Sequence, residues 1–125
     1  KGKLLSELYA EFPKYISSPE IKIGCPDDKK IEVVKNLSIK FKNDFPNAKI
    51  TDAKVIPGSD GTRADFTDGM MIFRYSQNGP YLTVKFEARD QKTYEERKHY
   101  VKAILQSYPE MIWEDQLAVN LHSLD

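Results

Sequence analysis

The stretch Arg74-Tyr75-Ser76-Gln77-Asn78-Gly79-Pro80 sets a fixed cation beside a cluster of neutral hydrogen-bond donors. Arginine offers a planar fork of N–H groups that matches two oxygens of a phosphate or carboxylate. The Ser76 hydroxyl and the Asn78 amide add uncharged donors. A turn rich in Asn and Gly can also aim successive backbone N–H groups into one concavity, the kind of nest that holds anions. Anion binding is therefore the chemistry this stretch could do. The same residue types also build ordinary hairpin loops, and turn preferences alone do not separate the two readings.

Other chemistry-bearing residues have plainer explanations. Cys25 has no histidine near it in sequence, and thiol reactivity needs a lowered pKa, so it reads as a buried or half-buried thiol at a strand end. Asp27 and Asp28 read as a helix-start pair, since negative charge is favoured in a first turn. His99 lies in a charged helical stretch and His122 in the last residues, without the spacing of zinc ligands. Arg63 and Asp65 share one strand face and are expected to pair with each other's neighbours; a functional role for Arg63 is a secondary reading. No catalytic residue and no metal ligand is assigned.

The elements that must carry the Arg74 stretch follow from periodicity. Thr62–Thr67 and Met70–Ser76 are predicted as strands joined by a two-residue Asp68-Gly69 loop of the type I′ kind. Within the second strand, Arg74 and Ser76 point to one face, while Met71, Phe73 and Tyr75 take the other, core face. After the turn Gln77–Pro80, residues 81–88 form a third strand with Leu82, Val84, Phe86 and Ala88 on one face. Ile50–Ile56 is a possible extra edge. Earlier, Tyr15–Pro19 reads as extended because Pro19 disfavours a helical Ser18, and Glu20–Gly24 as a short strand.

Helical spacing marks three further segments. Leu4, Leu5, Leu8, Tyr9 and Phe12 form a short amphipathic helix stopped by Pro13. Pro26 opens a second helix as its N1 residue, with Ile31, Val34, Leu37, Phe41 and Phe45 on one face. Thr93 and Glu96 have capping-box spacing ahead of a third, whose apolar side is Tyr94, Val101, Ile104, Leu105 and Tyr108. Trp113 and Tyr108 are expected to cover the core edge. The expected fold is α+β: a mostly antiparallel, four-stranded sheet with helices packed on one face. Residues 1–14 read as a connecting helix from an upstream domain, 15–109 as the domain and 110–125 as a C-terminal tail.

Composition bounds the partners. The chain has 125 residues, enough for one domain with a real core. With 19 basic and 19 acidic residues its formal charge is zero, so bulk charge gives no reason to expect nucleic acid or a membrane surface as partner. The single cysteine cannot form an internal disulfide, which fits a reducing, cytoplasmic setting.

Two separated blocks carry a family resemblance. YISSPEIKIGCPDDKK, residues 15–30, resembles the entry to the last domain in the bacterial branch of the phosphohexomutases, with its Ser-Pro-Glu-Ile strand and Cys-Pro-Asp helix start. DGTRADFTDGMMIFRYSQNGPYLTVKFEAR, beginning at Asp60, resembles that domain's Asp-Gly-x-Arg, Asp-Gly-Trp and phosphate-loop block. The superfamily loop commonly reads R-P-S-G-T-E-P, and this branch often R-A-S-N-T-Q-P before an R-F-E-A strand end. The resemblance spans roughly Leu4 to Tyr108 and implies the TATA-box-binding-protein-like fold of phosphohexomutase C-terminal domains.

The resemblance further implies that the loop grips the phosphate of a hexose phosphate substrate. Arg74 would be the charged clamp, Ser76 and Asn78 hydrogen-bond donors, and Gln77 would take the place of a family Gly or Asn. Asn78 stands where the family has threonine, Gly79 where it has Glu or Gln, and Met70 where a tryptophan is usual, so loop geometry is expected to differ. The family's phosphoserine, its D-x-D-x-D-R metal loop and its G-E-M-S-G sugar loop do not occur in these 125 residues. The implied role is a substrate-phosphate lobe, inactive alone and without its own cofactor, in a parent enzyme using Mg2+. The alternative is a non-enzymatic interaction module that kept the fold while its loop drifted.

Overall fold

Strict alternation along one strand organises the molecule. In the computed structural model, which describes residues 15–52, 61–75, 79–114 and 118–125, Leu82, Val84, Phe86 and Ala88 are all fully buried. Burying each larger apolar side chain is worth roughly 1.5–3 kcal/mol, so this stretch, β6 (Tyr81–Ala88), cannot slip by one residue. The remaining elements, in chain order, are β1 (Ile16–Ser17), β2 (Ile21–Gly24), α1 (Lys30–Asp44), β3 (Lys49–Asp52), β4 (Gly61–Phe66) and β5 (Gly69–Tyr75). After β6 come α2 (Gln91–Gln106) and a closing 3-10 turn, Leu121–Leu124.

The α+β reading holds, but the sheet has six strands, not four. Its order is β1-β6-β5-β4-β3, with β2 also on β6, and all pairings are antiparallel. β1 and β2 are one edge broken at Ser18-Pro19. Proline has no N–H to give a ladder. Ser18 compensates: its N–H donates to the Phe86 carbonyl at 2.9 Å, and its Oγ accepts from the Phe86 N–H at 3.0 Å. A strand as short as Ile16–Ser17 shows no readable alternation. Lys49–Asp52 supplies the other outer strand, and the rest of the anticipated Ile50–Ile56 edge, like the expected helix at 4–12, lies outside the described residues.

Register aligns Ala64, Met71, Phe86 and, one row on, Thr62, Phe73, Val84 and Ile21 on a single face. Both helices cover that face. Phe41 of α1 meets Phe73 edge-on at 5.4 Å between ring centroids, and Tyr94 of α2 lies 5.1 Å from Phe86. Such pairs add to area burial. Tyr108 and Trp113 pack against the core edge as anticipated.

Local details differ from the sequence reading in five places. Ile31 is exposed, and the inward face of α1 is Lys30, Val33, Val34, Leu37, Ser38 and Phe41. A stripe starting one residue earlier matches the helical period better over its whole length. Helix α1 itself begins at Lys30, because Pro26 first closes a turn whose carbonyl accepts from Lys29 and Lys30. At α2 the cap is Asp90, whose carboxylate accepts from the Thr93 N–H at 2.8 Å; the helix therefore starts ahead of the Thr93–Glu96 pair.

The β4–β5 turn is shifted by one residue. Phe66 pairs with Gly69, so the two-residue loop is Thr67-Asp68. Neither loop residue has positive φ, which excludes type I′. Gly69 instead sits in the strand at φ 145°, a region only glycine adopts readily. Finally, the described residues of the 110–125 stretch, 110–114 and 118–125, do not hang as a tail. Ile112 bridges to Gly24 and Val119 to Lys22, and Met111 and Leu124 are buried. The segment covers the outer edge of β2, with too few alternating positions to reveal itself in sequence.

Candidate functional site

Arg74 lies near the end of β5, opposite Gly61 of β4 and Thr83 of β6. Its side chain is exposed on the sheet face away from the helices, and it makes no hydrogen bond or ion pair with any described residue. A Cβ at Gly61 would strike the Phe73 carbonyl and the Arg74 Cα, so glycine is what lets β4 approach this part of β5 so closely. Ser76, Gln77 and Asn78 lie outside the described residues. Gly79 and Pro80 are half-buried where the segment re-enters the sheet.

That re-entry is held by backbone bonds and by Lys30, a residue the sequence reading passed over. The Cys25 N–H donates to the Pro80 carbonyl at 2.8 Å, and the Tyr81 N–H closes back on the Gly79 carbonyl at 3.0 Å. Lys30 reaches across from α1: its Nζ is 2.7 Å from Asp27 Oδ1 and 3.2 Å from the Gly79 carbonyl. Only 10% of its side chain is exposed. The available signal was its place in the buried stripe of α1, where a lysine breaks an otherwise apolar or small series.

The remaining candidates fall where their types suggest. Cys25 is buried, and burial together with nearby Glu110 pushes its thiol up to about 11, away from nucleophilic use. Arg63 Nε donates to Asp65 Oδ1 at 2.9 Å on the exposed face. His99 and His122 are exposed, and among the described residues no group of three His, Cys, Asp or Glu could hold a metal ion. No helix among the described residues is long and apolar enough to cross a membrane.

A cleft of about 300 Å³ lies between the end of α1 and the β4–β5 turn, lined by Asp44, Phe45, Phe66 and Asp68 among others. It sits at the opposite end of β4–β5 from Arg74. Its carboxylates are engaged: Asp44 accepts from the Tyr100 hydroxyl at 2.7 Å and pairs with Lys40, and Asp68 pairs with Arg97. The Tyr100 hydroxyl, followed by Lys40, holds the Asp44 carboxyl below its usual value. The cleft therefore offers apolar surface but no uncommitted charge.

The described residues define an α+β class: an antiparallel sheet backed by two helices, with an exposed arginine, Arg74, near the end of β5. Comparisons with known proteins give that class a family. The chain is 33% identical over 109 residues to the phosphoglucomutase of Neisseria meningitidis serogroup B, covering 86% of this chain and 22% of that protein. It is 34% identical over 90 residues to a phosphoglucosamine mutase of Methanococcus maripaludis, covering 72% of this chain and 18% of the relative. It is 33% identical over 81 residues to a phosphomannomutase/phosphoglucomutase of Pseudomonas putida, covering 65% and 16%. A solved phosphoglucomutase/phosphomannomutase family protein from Burkholderia thailandensis superposes with a TM-score of 0.50 at 22% identity, over 82% of this chain and 19% of that one, a likeness of fold. No protein-family model matches the chain. The chain belongs to the phosphoglucomutase/phosphomannomutase family, the phosphohexomutases, and spans about a fifth of the length of the relatives it matches.

Proposed function

We propose that this chain is the C-terminal, substrate-phosphate-binding domain of a phosphoglucomutase- or phosphomannomutase-type enzyme. The parent would move a phosphoryl group intramolecularly on a hexose phosphate, from a phosphoserine to the sugar and back. Because the sugar turns over midway, it must be held by its non-reacting phosphate in either orientation. Phosphoryl transfer depends mainly on positioning and charge stabilisation, so a lobe gripping the distal phosphate contributes to catalysis without touching the reacting bond.

The observation that carries this reading is the coincidence of a long family match with an arginine that has no partner among the described residues. Arg74 is exposed, with its fork uncommitted among the described residues, at the head of the segment that resembles the family's phosphate loop. Ser76, Gln77 and Asn78 are its proposed companions. On this reading Mg2+ belongs to a metal loop elsewhere in the parent, and this domain alone is inactive and needs no cofactor.

The test is a titration of glucose 1-phosphate into isotope-labelled chain, followed by backbone amide shifts. Saturable movement of the amides from Arg74 to Gly79, lost in Arg74→Ala, is expected. Shifts scattered elsewhere, or none at tens of millimolar, would favour the interaction-module alternative. The matching assay in the full-length parent is mutase turnover, where Arg74→Ala should weaken substrate affinity.

A further inference from the structure

We infer that Lys30 is a positioning residue for the phosphate site: it sets the exit of the Arg74–Pro80 segment by holding the Gly79 carbonyl. The inference rests on the phosphate-binding reading above and adds to it a residue from a distant part of the chain.

The geometry is specific. Lys30 stands in the first turn of α1, on the same inward stripe as Val33, Val34, Leu37 and Phe41. Its residue exposure is 8%. Withdrawing an ammonium from water is unfavourable unless the charge is paired and its N–H groups are satisfied. Here Nζ donates to Asp27 Oδ1 at 2.7 Å and to the Gly79 carbonyl at 3.2 Å. Asp27 is itself largely exposed, with 66% of its side chain open to solvent. It thus neutralises the ammonium from outside, while the ammonium reaches inward to the segment.

The same stretch of chain touches this exit a second time. Gly24 pairs with Tyr81, and the Cys25 N–H donates to the Pro80 carbonyl at 2.8 Å. Gly79 and Pro80 are therefore fixed from one side by residues 24–30, and Arg74 is fixed from the other by its pairing with Thr83. Gly79 has no side chain of its own with which to hold position, and proline at 80 removes one backbone donor. The ammonium adds a side-chain anchor to the backbone bonds that Cys25 and Tyr81 give to this exit.

The role is one of placement, because Asp27 balances the charge of Lys30. Removing the ammonium should therefore weaken phosphate binding through the segment's geometry and leave the Arg74 side chain untouched. The experiment uses the chain itself, with glucose 1-phosphate as probe and amide shifts as readout. Lys30→Met keeps length and removes the donor. It should raise the dissociation constant about fivefold or more and move the Gly79 and Tyr81 amides in the unliganded spectrum. Lys30→Arg, which keeps a cationic donor, should recover at least half of the loss. Lys98→Met, which removes a surface pair with Glu95, should leave affinity within about twofold.

A folded Lys30→Met chain that binds within twofold of the unaltered chain overturns the inference and leaves the phosphate reading standing. Absence of glucose 1-phosphate binding by the unaltered chain overturns both. Should Lys30→Met not fold, Asp27→Ala at the exposed end of the pair serves instead. A shifted Gly79 amide with about threefold weaker binding is then expected, and an unchanged amide and affinity overturn the inference.

Discussion

Arg97 and Asp68 are joined across the end of the sheet, one on α2 and the other in the β4–β5 turn. Arg97 Nη2 pairs with the Asp68 carboxylate, and Nη1 donates to the Asp68 and Glu87 carbonyls at 3.0 and 2.7 Å. The guanidinium also lies 4.3 Å from the Phe66 ring centroid. One buried cation thus ties α2, β6 and the hairpin turn together at the end of the sheet away from Arg74. Its effects should be on stability and not on phosphate binding, which gives the first contrast to test.

Arg97→Met leaves the Asp68 and Glu87 carbonyls without their donor and the Asp68 carboxylate without its partner. The expected loss is roughly 2–4 kcal/mol of stability, read from urea unfolding. Glucose 1-phosphate affinity of the folded fraction should stay within about twofold.

Gly69→Ala is expected to be harsher than a glycine-to-alanine change in an ordinary strand. At φ 145° a side chain is strained, and a Cβ there would meet the Glu87 carbonyl and the Arg97 guanidinium. A loss of roughly 3 kcal/mol or more follows. Thermal unfolding of the variant against the unaltered chain measures it; a loss under about 1 kcal/mol would contradict the tight approach.

Thr62, 1% exposed as a residue, carries a hydroxyl with no hydrogen-bond partner among the described residues. An unpartnered buried hydroxyl is unfavourable, and valine has nearly the same shape. Thr62→Val should therefore be neutral or gain up to about 1 kcal/mol in urea unfolding. Clear destabilisation would mean that the hydroxyl is bonded after all.

Cys25 gives the pH prediction. Its thiol is pushed from 9.0 up to about 11 in the folded chain, chiefly by burial. Between those values the unfolded chain releases a proton that the folded chain keeps, so stability is full below pH 9 and falls as pH rises toward 11. Tyr94, Tyr100 and Tyr108 are raised by burial too, and add a slope of the same sign. Comparing the unaltered chain with Cys25→Ala isolates the thiol: the variant should show the shallower alkaline decline. Alkylation near neutral pH should also be slow until denaturant is added.

Arg74→Ala should separate function from stability in the opposite sense to Arg97→Met. The side chain is exposed and has no partner among the described residues, so stability should hold to within about 0.5 kcal/mol. Glucose 1-phosphate affinity should fall about tenfold or more, the scale of a charge-assisted fork. Equal affinity in both chains would remove Arg74 from the site.

Much of this was legible from residue order alone. Strict alternation over Leu82–Ala88 and Met71–Tyr75 determined which faces are buried, because slipping either strand by one residue would expose an entire apolar set. That alternation also placed Arg74 on the open face. Two ordered motif blocks in the sequence alone pointed to the phosphohexomutase family. What residue order left undecided are contacts between segments far apart in sequence. Ser18 completing a ladder with Phe86, Ile112 and Val119 closing the edge of β2, and Arg97 reaching Asp68 are all of this kind. Lys30 belongs with them. Its charge argued for solvent and only helix phase argued for burial. The tertiary fold decided the matter by bringing Asp27 and the Gly79 carbonyl to its ammonium, because a buried cation is tolerable only where partners surround it.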